Sequence, residues 1–189
     1  MNETEHITKN STILSKKIAL SSIFIAFGLV LSFINVFAYF IIIGFKINPY
    51  VHLINSVAGV LLGVYYSIFV ATSIALLRFS FSIGTIHAFH GGISGAFVVG
   101  LVAMILKKIQ RSKYIIYSAL LEPLGTVFIG GTIAYYIAPT GSLMSGLIIN
   151  WSLFALSSVP GSIIGFLVLN ILKKAGITHE DYSIERGIK

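Results

Sequence analysis

The side chains best suited to bind a small molecule are concentrated in one stretch of the chain, residues 78–95. This stretch holds two of the five histidines, three phenylalanines and four glycines, and long apolar runs lie on both sides of it. Irregular backbone at membrane depth persists only where protein buries it or where it lines a cavity. We therefore predict that this segment caps a small-molecule pocket and that the flanking helices hold it in position.

The spacing His87-x-x-His90 would suit a metal ion if both residues lay on one helix, because positions i and i+3 share a helical face. We expect a loop here, before Gly91 and Gly92, and a loop does not hold that geometry. Metal sites also need three or four ligands, and His52 is the remaining histidine at membrane level. The sequence therefore favours imidazoles that hydrogen-bond an organic ligand, without a metal.

Several enzyme classes are disfavoured by groups that the chain lacks. Ser94 lies in Gly-Ile-Ser-Gly, which resembles the nucleophile motif of rhomboid proteases, but the last apolar run contains no histidine to act as its base. The chain has no cysteine and no Gly-Lys-Ser/Thr loop to cradle the phosphates of ATP. We therefore expect no enzymatic activity, and any energy for transport must come from an ion gradient or from other chains.

Glu122 is the one acidic residue between positions 5 and 180. A carboxylate within the membrane costs several kcal/mol and usually faces the protein interior or a cavity. We expect a structural or subunit-contact role beside Pro123, near the cytoplasmic start of the fifth apolar run and far from Arg78. Ligand binding by Glu122 stays an alternative.

The predicted pocket combines aromatic, imidazole and amide side chains. Such a lining suits a small, flat, neutral heteroaromatic molecule, since it offers no carboxylate cluster for a cation and one arginine for an anion. Trp151 either stacks on the ligand or anchors the chain at the membrane interface. The predicted substrate-binding residues are Asn55, Arg78, Phe81, Thr85, His87, Phe89, His90, Ser94, Asn150 and Trp151.

The overall composition is that of a membrane protein. Of 189 residues, 56% are apolar and 10% are charged, and the mean hydropathy is +0.94, whereas soluble domains carry about 25% charged residues. The basic residues behind the +7 net charge lie at the ends of apolar runs. We therefore predict a multi-pass protein of the cell membrane that contacts the lipid bilayer and no nucleic acid.

Six apolar runs predict an all-α protein with six transmembrane helices, since about 20 apolar residues cross a bilayer. The runs cover residues 18–43, 51–63, 65–77, 91–105, 114–138 and 143–172. They form one transmembrane domain, 1–189, with polar tails at 1–17 and 173–189. Small residues four positions apart, as in Gly91/Gly95 and Gly161/Gly165, predict close contacts between helices.

The distribution of basic residues predicts the orientation. Eleven lysines and arginines lie in the two tails and the 107–113 loop, whereas Lys46 and Arg78 lie on the opposite side. Because basic residues are enriched on the cytoplasmic side, both termini are predicted to be cytoplasmic. The segment at 78–90 then faces outward, where an imported nutrient arrives.

Four ordered blocks of sequence carry a family resemblance: NPYVHLINSVAGVLLG at 48–63, IALLR at 74–78, GTIHAFHGGISGA at 84–96 and EPLGT at 122–126. They resemble the ThiW family, which are substrate-binding (S) components of energy-coupling factor (ECF) transporters. The resemblance covers most of residues 15–172. His90 departs from the family pattern, where proline is usual, and Pro123 stands where an aliphatic residue is usual.

The resemblance implies an S-component-like bundle with a ligand site on its outer half and uptake of hydroxyethylthiazole, the thiazole precursor of thiamine. It also implies a transmembrane coupling protein and two ATP-binding subunits as partners, so that this chain needs no cofactor. In such subunits an Ala-x-x-x-Ala face on the first span contacts the coupling protein, and Ser22 and Ala26 occupy the matching positions. The alternatives are a solitary secondary transporter and an S component for another vitamin-related solute or a metal ion.

Overall fold

The computed structural model describes residues 3–35, 41–42 and 45–183. The α-helices are α1 (Glu3–Phe33), α2 (Pro49–Leu62), α3 (Val64–Ser80), α4 (His87–Lys108), α5 (Gly131–Ile137) and α6 (Leu143–Lys174). Two 3-10 helices cover Ser112–Leu121 and His179–Tyr182, and a π-helix covers Leu124–Gly130. Strands β1 (Ile41–Ile42) and β2 (Phe45–Lys46) pair antiparallel. The predicted helical class is confirmed, with this short pairing as an addition.

The first helix differs at both ends from the prediction. It begins within the expected polar tail and ends at Phe33, so the expectation of a helix to residue 43 is wrong at residues 41–42, which form β1. Polar side chains hold the chain that follows: Asn35 Nδ2 donates to the Ile47 carbonyl at 2.7 Å, and Asn48 Nδ2 donates to Ser32 Oγ at 3.0 Å. An apolar run alone does not distinguish a helix from the strand that follows it.

The chain reverses between α2 and α3 at one residue, Gly63. Its φ of 82° lies in the left-handed region, which glycine adopts without the steric cost of a Cβ. The first turn of α2 and the last turn of α3 line the same cavity, so the two helices run in opposite directions. This hairpin brings Arg78 of α3 beside the beginning of α2.

The helices differ in whether they are long enough to cross a membrane. Within the described ranges, three helices are long and apolar enough to cross a membrane, at Thr8–Phe33, His87–Lys108 and Leu143–Lys174. A bent pair, Ser112–Leu121 with Leu124–Ile137, makes a fourth candidate there. The pair bends by 41° at Glu122 and Pro123, and proline has no N–H to continue a helical ladder. Helices α2 and α3, with 14 and 17 residues, are about 21 and 26 Å long at 1.5 Å per residue. These lengths fall short of a bilayer core of about 30 Å, and the count of six spans stays a prediction.

Close contacts between helices occur at the predicted glycines. A Cβ at Gly161 would lie 2.6 Å from the Cβ of His52, and a Cβ at Gly165 would lie 2.6 Å from the Cβ of Ser56. Both contacts join α6 to α2, so the small residues at 161 and 165 allow these backbones to approach each other. This packing helps to fix the position of His52, because α6 contacts it at Gly161.

Candidate functional site

A cavity lies at the end of the bundle where α2 and α4 begin. Its volume is about 40 Å³, which is room for about three water molecules at ~10–15 Å³ each. The strand β2, the first turns of α2 and α4, the last turn of α3 and the middle of α6 surround it. The lining residues are Lys46, Ile47, Asn48, Val51, His52, Arg78, Thr85, His87, Ala88, Gly91, Gly92, Leu153, Phe154 and Ser157.

Three of the ten predicted binding residues line this cavity, namely Arg78, Thr85 and His87. Arg78 lies on the last turn of α3 and is 6% exposed. Its side chain makes no hydrogen bond or ion pair with any residue in the described part of the chain, and its Nε is buried without a partner. The guanidinium is therefore held at the cavity without a counter-charge.

Two predicted histidines lie on a helix, contrary to expectation. Helix α4 begins at His87, four residues before the predicted start, so His87 and His90 occupy its first turn. Their ring centroids are 5.2 Å apart, and the ring of Phe154 from α6 lies 6.4 Å from His87 and 5.8 Å from His90. The expected loop is confined to residues 81–86, and the histidines form an aromatic cluster with Phe154 at the edge of the cavity.

The metal alternative, with His87 and His90 as ligands, would need at least one further ligand. Among residues 3–35, 41–42 and 45–183, no group of three or more histidine, cysteine, aspartate or glutamate side chains is placed to hold a metal ion. The Nδ1 of His90 lies 3.1 Å from the carbonyl oxygen of Gly130, which makes Nδ1 the protonated nitrogen that donates. This nitrogen is therefore used in a hydrogen bond to the π-helix and does not offer a lone pair to a metal ion.

A buried polar cluster lies behind the cavity, centred on the fully buried carboxylate of Glu122. Its Oε1 lies 2.7 Å from His52 Nδ1 and accepts a hydrogen bond of 2.7 Å from Thr126 Oγ1 and a longer one of 3.4 Å from Asn55 Nδ2. His52 itself lines the cavity. The carboxylate therefore fixes the His52 imidazole through Nδ1, and the same side chain contributes to the lining of the cavity.

Helix α4 passes directly over this carboxylate at Gly95. A Cβ there would overlap Glu122 Oε1 and Thr126 Oγ1 and would lie 2.7 Å from the Glu122 carboxyl carbon. Glycine is needed at this position because any side chain would displace the buried carboxylate. Glu122 thus lies beside the cavity that Arg78 lines, rather than at the opposite end expected from the span boundaries.

His52 is the functional candidate that the sequence analysis left out of its list. It is 8% exposed, and its partner is 70 positions away in the chain. The sequence does contain a signal that could have identified it, namely the spacing of polar residues. His52 and Asn55 are three positions apart and Glu122 and Thr126 are four apart, so each pair can share one helical face.

The remaining predicted residues do not line the cavity. Asn55 donates to the Gly92 carbonyl as well as to Glu122, and the Ser94 hydroxyl donates to the His90 carbonyl within α4. Asn150 Nδ2 donates to the Gly146 carbonyl at 2.8 Å, and Trp151 Nε1 donates to Thr132 Oγ1 at 3.1 Å.

Two aromatic candidates, Phe81 and Phe89, also contact residues outside the cavity. The Phe81 ring packs 5.8 Å from the ring of Phe33, and the Phe89 ring lies 5.9 Å from that of Phe79. Phe81 is 54% exposed and belongs to the loop between α3 and α4. Neither ring belongs to the cavity lining.

The predicted subunit-contact residues lie on the outside of the bundle. Ser22 and Ala26 are exposed on α1, and the large apolar side chains of Ile18, Ile23 and Phe27 around them are more than half exposed. The Ser22 hydroxyl donates to the Ile18 carbonyl at 3.1 Å, so it leaves no unpaired donor in an apolar setting. This face of α1 is available to lipid or to another protein.

Comparison with known proteins gives one match. The family model described as thiamine-precursor transporter protein (ThiW) matches residues 18–175, and the resemblance drawn from the four sequence blocks is thereby confirmed. No curated protein and no solved structure matches the chain.

Proposed function

Since the chain belongs to the ThiW family of thiamine-precursor transporter proteins, we propose that it is the substrate-binding subunit of an ECF-type importer whose ligand is hydroxyethylthiazole. Membership of the family supports a transport role over an enzymatic one. The observation that carries the proposal is that the blocks of sequence typical of the family, 48–63, 74–78 and 84–96, supply most of the residues around one cavity.

The chemistry of the cavity fits a small heteroaromatic alcohol. The edges of His87 and Phe154 offer a surface against which a flat ring packs. His52, held by Glu122 through Nδ1, presents Nε2, which exchanges a hydrogen bond with a hydroxyl group or a ring nitrogen. The cavity volume of about 40 Å³ is small for such a ligand, so the 81–86 loop must move when the ligand enters.

A calorimetric titration of the purified protein tests the ligand. We expect hydroxyethylthiazole to bind more tightly than intact thiamine, because the cavity beside His52 and Arg78 is small and fits one ring better than two. We expect it to bind more tightly than its pyrimidine counterpart as well, because the family resemblance implies the thiazole. His52→Phe keeps an aromatic ring, of somewhat larger volume, but removes both ring nitrogens, and hydrogen bonds of this kind contribute about 0.5–1.5 kcal/mol. We expect this variant to bind hydroxyethylthiazole about 3- to 10-fold more weakly. The absence of binding by all three compounds would refute the proposal.

Coupling to partner subunits is proposed to use the exposed face of α1 around Ser22 and Ala26. Ser22→Leu is expected to leave ligand binding intact and to abolish uptake in cells that also make the coupling protein and ATP-binding subunits. Ser152→Leu is the matched control, because Ser152 is likewise exposed on a helix and donates to the carbonyl four residues before it. Equal loss of uptake in both variants, or uptake by this chain in cells without those partners, would contradict an ECF mechanism.

In the proposed orientation the cavity faces the outer side of the membrane and both termini lie in the cytoplasm. Because the chain has no cysteine, single cysteines report the side of the membrane without interference. A cysteine at exposed Ser82 should react with an impermeant maleimide in intact cells, and a cysteine at exposed Ala175 should react only after the cells are opened. The reverse pattern would show that the cavity faces the cytoplasm.

A further inference from the structure

Arg78 is a buried cation with no counter-charge among the described residues. Its side chain is 6% exposed, lines the cavity and makes no hydrogen bond or ion pair with any residue of the described ranges. A buried charge is costly unless an opposite charge or hydrogen bonds compensate it. Among the described residues, the Arg78 guanidinium therefore has no anionic partner to offset the cost of its burial.

The rest of the lining adds positive charge and no negative charge. Lys46 is a second cation at the cavity, and its Nζ donates to the Ser82 carbonyl at 3.3 Å. None of the lining residues is an aspartate or a glutamate. The nearby carboxylate of Glu122 does not line the cavity and is engaged by His52 and Thr126.

Two helices also direct their positive ends toward this cavity. Helix α2 begins at Pro49 and α4 begins at His87, and residues of both first turns line it. Neither N-terminus is capped by a hydrogen bond from a side chain. In α4 the first N–H groups are already used, since those of Ala88 and Phe89 donate to the carbonyls of Thr85 and Ile86. The helix dipole still favours an anion at this end, so both helices add to the positive charge of Arg78.

A lipid headgroup does not account for this arrangement. A phosphate of the bilayer would have to reach a guanidinium that is only 6% exposed and lies between α2, α4 and α6. A small soluble anion, or an anionic group on a small ligand, reaches the same place through the cavity.

We propose that the cavity contains an anion-binding subsite formed by Arg78 and Lys46, and that the protein binds a ring ligand bearing a carboxylate or phosphate ester more tightly than the corresponding neutral alcohol. The identity of the ring rests on the proposed function, whereas the anionic group is argued from the cavity alone. Arg78 would hold the anion through two parallel N–H donors, the geometry in which guanidinium binds planar or tetrahedral oxyanions. Lys46 would supply a second charge at the entrance.

The test compares four probes on the full chain in nanodiscs of uncharged lipid: hydroxyethylthiazole, its phosphate monoester, a thiazole carboxylate and inorganic phosphate. Hydrogen bonds to charged groups contribute about 1.5–3 kcal/mol, which corresponds to a factor of about 10–150 in affinity. We expect at least one of the two anionic ring compounds to bind tenfold or more tightly than the alcohol. Equal affinities for all three ring compounds would overturn the subsite.

Variants assign the effect to Arg78. Arg78→Gln should weaken binding of the anionic ring compound at least tenfold and change binding of the alcohol less than threefold, whereas Lys108→Gln, which removes an exposed charge away from the cavity, should change neither. The ligand-free Arg78→Gln protein should melt at the same or a higher temperature, because an uncompensated buried charge is gone. A lower melting temperature together with equal loss for alcohol and anion would show that Arg78 is structural and would overturn the proposal.

The two proposals fail in different ways. If inorganic phosphate raises the melting temperature of the parent protein but not of Arg78→Gln, and no thiazole compound binds, then the subsite is supported and the thiazole assignment fails. If hydroxyethylthiazole binds and its anionic forms bind no more tightly, the thiazole assignment is supported and the subsite fails.

Discussion

The packing of α4 over the buried carboxylate yields a sharp prediction for Gly95→Ala. The added methyl group would overlap Glu122 Oε1 and Thr126 Oγ1 and approach the carboxyl carbon within 2.7 Å. The carboxylate cannot turn aside freely, because three side chains donate or lie within hydrogen-bonding distance of the same oxygen. The methyl group must therefore displace either the carboxylate or α4.

The magnitude follows from two opposing contributions. Alanine stabilises a helix interior by about 0.8–1 kcal/mol relative to glycine. Losing two hydrogen bonds to a charged oxygen costs about 1.5–3 kcal/mol each, so the net loss is about 2–5 kcal/mol. At about 2–4 °C per kcal/mol for a chain of this size, the melting temperature should fall by about 4–20 °C.

Gly92→Ala is the matched control for this experiment. Gly92 lies on the same helix, but the nearest atom to a Cβ there is Asn55 Nδ2 at 4.0 Å, an ordinary contact distance. The control should melt within about 2 °C of the parent protein or above it, since it gains helix propensity without overlap. Thermal melting in detergent measures both variants, and equal melting temperatures for Gly95→Ala and Gly92→Ala would refute the reasoning about the carboxylate.

Two further predictions concern charged groups. Glu122→Gln keeps the shape of the side chain but turns a charge-assisted contact with His52 into a neutral one, so we expect a loss of about 1–3 kcal/mol in unfolding free energy. The control Glu180→Gln, at an exposed position, should change the unfolding free energy by less than about 0.5 kcal/mol. Similar losses in the two variants would contradict the role of burial. At the C-terminal 3-10 helix, burial is the main cause that lowers the pKa of His179 below its usual 6.5, with Glu180 opposing the shift and Lys107 adding to it. Because the folded form then favours the neutral imidazole, docking of this segment is complete above about pH 6.5 and weakens as the pH falls through the lowered pKa. Limited proteolysis between pH 8 and 5 should show this loss, and His179→Gln should remove the pH dependence.

The sequence was sufficient for the general architecture and for one side of the cavity. Long apolar runs predicted the principal helices, since burial in protein or lipid dominates in segments such as 143–172. The stretch at 78–95 was expected to cap a ligand pocket, and Arg78 and His87 line the cavity; their role in binding stays a prediction. Polar residues within an otherwise apolar chain are a strong local signal, and they identify the segment without knowledge of its neighbours.

The parts that sequence missed depend on contacts between distant segments. The pairing of His52 with Glu122 joins α2 to a bend 70 positions later, and no periodicity within either segment indicates the partner. The start of α4 was misplaced because Ile86 precedes it and its side chain provides no cap, whereas the expected signal is Ser, Thr, Asp or Asn. The end of α1 was misplaced because apolar residues continue into β1.

The small volume of the cavity has a consequence for the kinetics of capture. If the 81–86 loop must move aside before a ring can enter, only molecules in the open form accept ligand. When about 1% of the molecules are open, the apparent affinity is about a hundredfold weaker than that of the open form. The same barrier delays escape once the loop has closed again. Residence time, more than the final set of contacts, would then decide how long a scarce ligand remains bound to the protein.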